Sequence, residues 1–156
     1  MYNNAIMDLA INRANITMKE NLGGPFGAAI ITPDGRIVVA SNTVLKDNDP
    51  TAHAEINAIR ETCKTLGTYD LTGCILYTTA YPCPMCLSAI MWANIKTVYY
   101  GCSKEDTDDI GFRDDFMYKF MKDDCADINV MKLEQSDRDK CIKLFDDYVN
   151  DDKQLY

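Results

Sequence analysis

Four side chains in this sequence have types and spacings that could do chemistry together. They are His53 and Glu55 in "HAE", and Cys83 and Cys86 in "YPCPMC". His53 is the only histidine in the chain. One imidazole and two thiolates make three ligands for Zn2+, one fewer than a closed structural site uses, which leaves a position open for water. Cys83 and Cys86 stand at i and i+3 and project from nearly one face of a helical turn. The partial positive charge at a helix N-terminus favours thiolates, the form that binds metal. Glu55 is then the candidate general base, a carboxylate that handles protons beside the metal without binding it. Inside a helix, residues two apart point about 200° apart. His53 and Glu55 therefore share a pocket only if the helix start itself is buried. Two other readings of the cysteines stand beside this one. A thioredoxin-like redox pair leaves "HAE" unexplained. A structural zinc site needs one of the other five cysteines as fourth ligand.

The elements that must position these residues follow from periodicity and turn chemistry. Ile6, Leu9, Ala10, Ala14 and Met18 form a helical stripe that predicts a helix over residues 3–21. "FGAAIIT" (residues 26–32) and "RIVVASN" (36–42) read as a hairpin joined by "PDG". "AHAEINAIRETCKTL" reads as a helix, with Thr51 or Asp49 as its cap and Gly67 as its end. "CILYTTA" (74–80) is a strand. "CPMCLSAIMWAN" is a helix with Pro84 in its first turn, where a missing N–H costs nothing. "TVYYG" (97–101) and "INVMKLE" (128–134) are two further strands. "SDRDKCIKLFDDYV" is a final helix with Ile142, Phe145 and Val149 on one side. This order predicts an α/β layered sandwich around a mixed central sheet. His53 and the cysteine pair both fall at helix starts, where ligand sites form in open α/β sheets.

Bulk properties narrow the function classes. The chain has 156 residues, the size of one ordinary domain, and no repeat or linker, so a single domain over 1–156 is expected. Apolar residues make up 47% and charged residues 26%, the balance of a soluble globular protein. No apolar run is long enough to span a membrane. The first residues include Asp8, Arg13, Lys19 and Glu20, unlike a signal peptide, so a cytoplasmic protein is expected. The net charge of −8, from 24 acids and 16 bases, repels a polyanion, so nucleic acid is not an expected partner. Seven cysteines, an odd number, disfavour a disulfide framework. Cys63, Cys74, Cys102, Cys125 and Cys141 are read as small buried hydrophobes.

H-x-E followed by P-C-x-x-C is the signature of zinc-dependent nucleobase and nucleoside deaminases. With "GGPFGAAI", "NDPTAHAEINAIR", "CILYTT", "PCPMCLSAIMWANI", "GFRDDFMY" and a terminal tyrosine, the chain resembles bacterial-type guanine deaminases of the cytidine deaminase superfamily over nearly its whole length. The first four stretches are shared with tRNA adenosine deaminases, whereas "GFRDDFMY" and the terminal tyrosine are more particular to the guanine branch. The resemblance implies His53, Cys83 and Cys86 as zinc ligands and Glu55 as proton shuttle. It implies Asn42 and Asp114 as hydrogen-bond partners of the base edge and Tyr156 as the residue that closes the pocket. It further implies a three-layer α/β/α sandwich with a mixed five-stranded sheet, cytidine deaminase-like. The protein would be a homodimer with a swapped C-terminal segment, through which Tyr156 can come from the partner. The implied reaction turns the small-molecule base guanine into xanthine and ammonia. The alternatives are another base such as cytosine, a tRNA adenosine deaminase and a non-catalytic zinc-stabilised binding module. The acidic "DDYVNDDK" end speaks against RNA, and Glu55 speaks against the binding module. One residue departs from the pattern: Tyr81 stands where many relatives carry Glu. A phenol can stack or donate a hydrogen bond but stays neutral near pH 7.

Overall fold

Asn3 opens the first helix by accepting a hydrogen bond from the Ala5 N–H, which satisfies one of the donors a helix start leaves without a partner. In the computed structural model, which describes residues 2–151 and 153–156, this helix α1 spans Asn4–Lys19. Ile6, Ala10, Ala14 and Thr17 turn inward from it at spacings of four and three. The hairpin follows as β1 (Gly27–Ile31) and β2 (Ile37–Ser41), with Gly35 in its turn at a φ of 86°, where a side chain would be strained. A short α2 (Val44–Asp47) leads to α3 (Ala54–Leu66), which stops at Gly67 in the left-handed region. Next come β3 (Ile75–Ala80), α4 (Pro84–Trp92), β4 (Thr97–Cys102) and α5 (Lys104–Asp109). The last helices are α6 (Asp115–Lys122) and α7 (Arg138–Asn150). The chain divides into two units, residues 1–115 and 116–156. All described strands lie in the first.

The strand order is β2-β1-β3-β4. β1 is antiparallel to β2 and β3, and β3 is parallel to β4 across the α4 crossover, so the sheet is mixed as expected. Side chains alternate between its faces. Ala28, Ile30 and Leu76 cluster with Ala54 and Ala58 of α3 and with Ile90 of α4. Ala29 and Tyr77, one residue out of phase, cluster with Ile6, Met7 and Ala10 of α1. Ile30 and Leu76 are fully buried, and burying such a side chain contributes about 1.5–3 kcal/mol. This core fixes β3 and α3, the two elements that carry Thr78 and Glu55.

Four described strands form the sheet, not the five expected. Residues 128–134 form no strand. A strand exists only when a neighbour accepts and donates its ladder hydrogen bonds, and the second unit contains no other described strand. Three short helices, α2, α5 and α6, were not expected from the periodicity. For α5 a signal was present: Ser103 and Asp106 in "SKED" form a capping box. The cysteine expectation also needs correction. Of the five single cysteines only Cys74 is buried, while Cys63 and Cys125 are half-buried and Cys102 and Cys141 exposed. Cys102 ends the outer strand of the sheet, and α7 buries none of its residues, Cys141 included. Among the described residues no helix is long and apolar enough to cross a membrane.

Candidate metal and active site

His53 lies just before α3 rather than within it, in extended conformation with φ −69° and ψ 157°. The helical angle between residues two apart therefore does not apply. The imidazole and the Glu55 carboxylate, which starts inside the helix, reach the same place. Cys83 is built the same way, with φ −65° and ψ 168° ahead of Pro84, the first residue of α4. Neither side chain caps its helix; both turn to a common point instead. Asp49 and Thr51, expected as caps, bind each other, with the Thr51 N–H and hydroxyl donating to Asp49 at 2.8 and 2.7 Å. Asn57 of α3 donates to the Ser41 carbonyl and the Thr43 hydroxyl, each at 2.9 Å. The start of α3 is thus tied to the end of β2.

His53 Nδ1 lies 3.6 Å from both Cys83 Sγ and Cys86 Sγ. A tetrahedral zinc with ordinary Zn–S and Zn–N bonds puts nitrogen and sulfur about 3.6 Å apart. The three residues therefore fit zinc, with Nδ1 as the imidazole ligand. Among the described residues this group contains no fourth His, Cys, Asp or Glu, and all seven cysteines are free thiols. That leaves the structural zinc reading without its extra cysteine. The redox reading leaves unexplained why an imidazole nitrogen faces both sulfurs.

Glu55 is buried beside the group. Its Oε1 accepts from the Thr78 hydroxyl at 3.0 Å, and its Oε2 accepts from the Cys86 thiol at 3.5 Å. Burial pushes the Glu55 carboxyl above its usual range, opposed by hydrogen bonds from its own backbone and from Thr78. The neighbouring Cys86 thiol, helped by His53, draws the Cys83 thiol well below its usual value. Cys83 as neighbour, with burial, holds Cys86 up, and the contact with Cys83 raises His53. A thiolate at Cys83 is the state a metal ligand needs.

Asn42 is buried at the end of β2, and its Oδ1 accepts from the Gly24 and Val44 N–H groups, both at 3.2 Å. Two backbone donors fix which end of the amide is oxygen, so Nδ2 is the end left to meet a ligand. Gly23 makes this possible. A Cβ there would stand 2.1 Å from the Asn42 carbonyl oxygen and 2.4 Å from Oδ1. Gly23→Ala is therefore expected to displace Asn42 and to destabilise the fold by about 1–3 kcal/mol, read as a lowered unfolding midpoint in urea.

Asp114 is half-buried. Burial raises its carboxyl, the Cys83 charge raises it further, and Lys104 opposes both, so it stands close enough to the group to sense it. Tyr156 belongs to the second unit, where it is exposed. The Tyr81 N–H donates to the Cys102 carbonyl at 2.9 Å. Its ring meets Tyr100 edge-on at 5.0 Å, and Lys104 Nζ sits 4.6 Å from the ring centroid, so this phenol stacks. Sequence reasoning missed Thr78. The available signal was the alternation of Leu76, Thr78 and Ala80, which sets a hydroxyl on the α3 face of β3.

Three side chains able to hold a metal ion, set at two helix starts beside a buried carboxylate, are the make-up of a metal-dependent hydrolytic site. Residues 2–102 match the cytidine and deoxycytidylate deaminase zinc-binding region, and the chain belongs to that family. It is 46% identical over 119 residues to the guanine deaminase of Bacillus subtilis (strain 168), which covers 76% of each chain. An X-ray structure of guanine deaminase from Bacillus subtilis matches it with a TM-score of 0.88 and 37% identity, covering 100% of this chain and 99% of that one. The α/β fold is thus cytidine deaminase-like. A tRNA-specific adenosine deaminase of Agrobacterium fabrum is also 46% identical, but over 78 residues, 49% of this chain and 51% of that one.

Proposed function

We propose that this chain hydrolyses guanine to xanthine and ammonia. The observation that carries the reading is the buried Glu55 beside a three-ligand group, in a chain similar to a guanine deaminase from end to end. His53 Nδ1, Cys83 and Cys86 would hold zinc. Zinc, when bound, lowers the pKa of its water from about 15.7 to about 7. Glu55 takes a proton from the attacking water through Oε2 and gives it to the ring nitrogen next to the amino-bearing carbon as the water oxygen bonds to that carbon. It then carries the remaining hydroxyl proton to the amino nitrogen, the C–N bond breaks and ammonia leaves. Asn42 Nδ2 donates to an acceptor on the base and Asp114 accepts from an N–H, which suits a base that carries both. Leaving one of these buried groups unpaired costs about 1–3 kcal/mol.

The two clusters on opposite faces of the sheet support a three-layer α/β/α reading. Leu144, Phe145 and Val149 of α7 are 68%, 68% and 75% exposed. We read α7 as covered in a homodimer with the C-terminal segment swapped, so that Tyr156 closes the partner's pocket. We read the protein as cytoplasmic and without a nucleic-acid partner.

Ammonia release across guanine, cytosine, adenine and their nucleosides tests the reading. Guanine is expected to be turned over fastest, and no ammonia from guanine would sink the proposal. Asn42→Asp separates binding from folding, because the carboxylate still accepts from Gly24 and Val44 but offers no donor. kcat/KM for guanine is expected to fall about 10- to 100-fold, with one zinc per chain retained by metal analysis.

A further inference from the structure

Thr78 carries a hydroxyl that the reaction as described does not use. It sits in β3 opposite Ala28 of β1 and Tyr100 of β4, and it is 1% exposed. Burying a hydroxyl without a partner is unfavourable by about 1–3 kcal/mol. Its partner is Glu55 Oε1 at 3.0 Å, a bond between buried side chains 23 residues apart.

We propose that Thr78 is a positioning residue for proton transfer. It pins Oε1 and thereby leaves Oε2 as the oxygen turned toward Cys86 and the metal position. This rests on Glu55 as the proton carrier. A glutamate carboxylate turns easily about its last torsion, which has broad, two-fold preferences. Among the described residues, side-chain donors to Glu55 are Thr78 and Cys86. The Thr78 hydroxyl, 3.0 Å from Oε1, is the stronger of the two, since a thiol such as Cys86, 3.5 Å from Oε2, donates weakly. Thr78 is β-branched, with few rotamers, on a strand paired on both sides, which makes it a rigid anchor. A reacting group misplaced by 1 Å can lose about 100-fold in rate.

Thr78→Val keeps the shape and removes the hydroxyl, while Thr78→Ser keeps the hydroxyl. For Thr78→Val we expect one zinc per chain, a KM within about threefold of wild type and a kcat lowered about 10- to 100-fold. Its crystal structure is expected to show the Glu55 carboxylate turned from its wild-type orientation. Thr78→Ser is expected to restore kcat to within about fivefold of wild type. A Thr78→Val variant with wild-type kcat overturns the proposal. So does a Thr78→Ser variant as slow as Thr78→Val, which assigns the effect to packing. So does loss of zinc from Thr78→Val, which assigns the hydroxyl to the metal group. Glu55→Gln, measured alongside, separates the two readings. If it is fully active, Glu55 is not the proton carrier and the role of Thr78 falls with it, whereas a wild type that releases no ammonia from guanine fails the function reading itself. If Glu55→Gln is inactive while Thr78→Val is fully active, only the role of Thr78 fails.

Discussion

Glu55→Gln is expected to release ammonia from guanine at least about 100-fold more slowly than wild type, the low end of what a positioned proton carrier supplies. The variant should still hold one zinc per chain. Glutamine has nearly the shape of glutamate, and its amide oxygen can keep the Thr78 hydrogen bond at the Oε1 position. It cannot take up and return a proton. His53, Cys83 and Cys86 are untouched, so metal content separates this loss from a collapsed site. Stability gives a third readout. Glu55 is 6% exposed, and keeping a charge there is costly. A neutral amide removes that cost, so Glu55→Gln should unfold at the same temperature as wild type or higher. A residue kept for function rather than for the fold shows this pairing of lost activity with retained or gained stability. Undiminished ammonia release by Glu55→Gln would remove Glu55 from the mechanism.

The convergence of His53, Cys83 and Cys86 was legible because side-chain type and helix-start position are local properties. "HAE" and "PCPMC" named the side chains, and the turn signals around them put each at a helix start. Sequence periodicity could not show that His53 and Cys83 stand just outside their helices. That half-step is what allows His53 and Glu55 to converge. The first four strands were legible from runs of β-formers, and each found a neighbour in the sheet. "INVMKLE" has the same look, but a strand is a property of a pair, and its own unit offers none. The single cysteines failed for a related reason. A small apolar side chain reports that it can be buried, whereas the face of its element decides whether it is. Thr78 was invisible as a partner because its hydroxyl gains meaning only when β3 and α3 are packed together. The orientation of Asn42 likewise depends on the Gly24 and Val44 N–H groups. Tyr81 was legible as a departure from the relatives' glutamate, while its stacking on Tyr100 under Lys104 required the sheet edge to be built.

Cys83→Ser is expected to lose both the metal and the activity, and to lose stability with them. The substitution is small in volume, so packing alone predicts little change. The chemistry changes fully. The Cys86 thiol and His53 draw the Cys83 thiol well below its usual value, toward the thiolate form at neutral pH. A serine hydroxyl keeps its proton there and is a harder, weaker ligand for zinc. Two ligands, His53 and Cys86, then remain of three. Because metal binds the folded site and not a preformed unfolded one, its binding free energy is folding free energy. At a free zinc level of about 1,000 times Kd, that linkage is worth about 4 kcal/mol. For a chain of this size it corresponds to a thermal midpoint about 10 °C higher. Wild type treated with a chelator should therefore fall to nearly the midpoint of Cys83→Ser, and the variant should not respond to the chelator at all. A Cys83→Ser protein that keeps one zinc per chain and turns over guanine at the wild-type rate would take Cys83 out of the metal group. It would leave His53 and Cys86 facing each other without a reason.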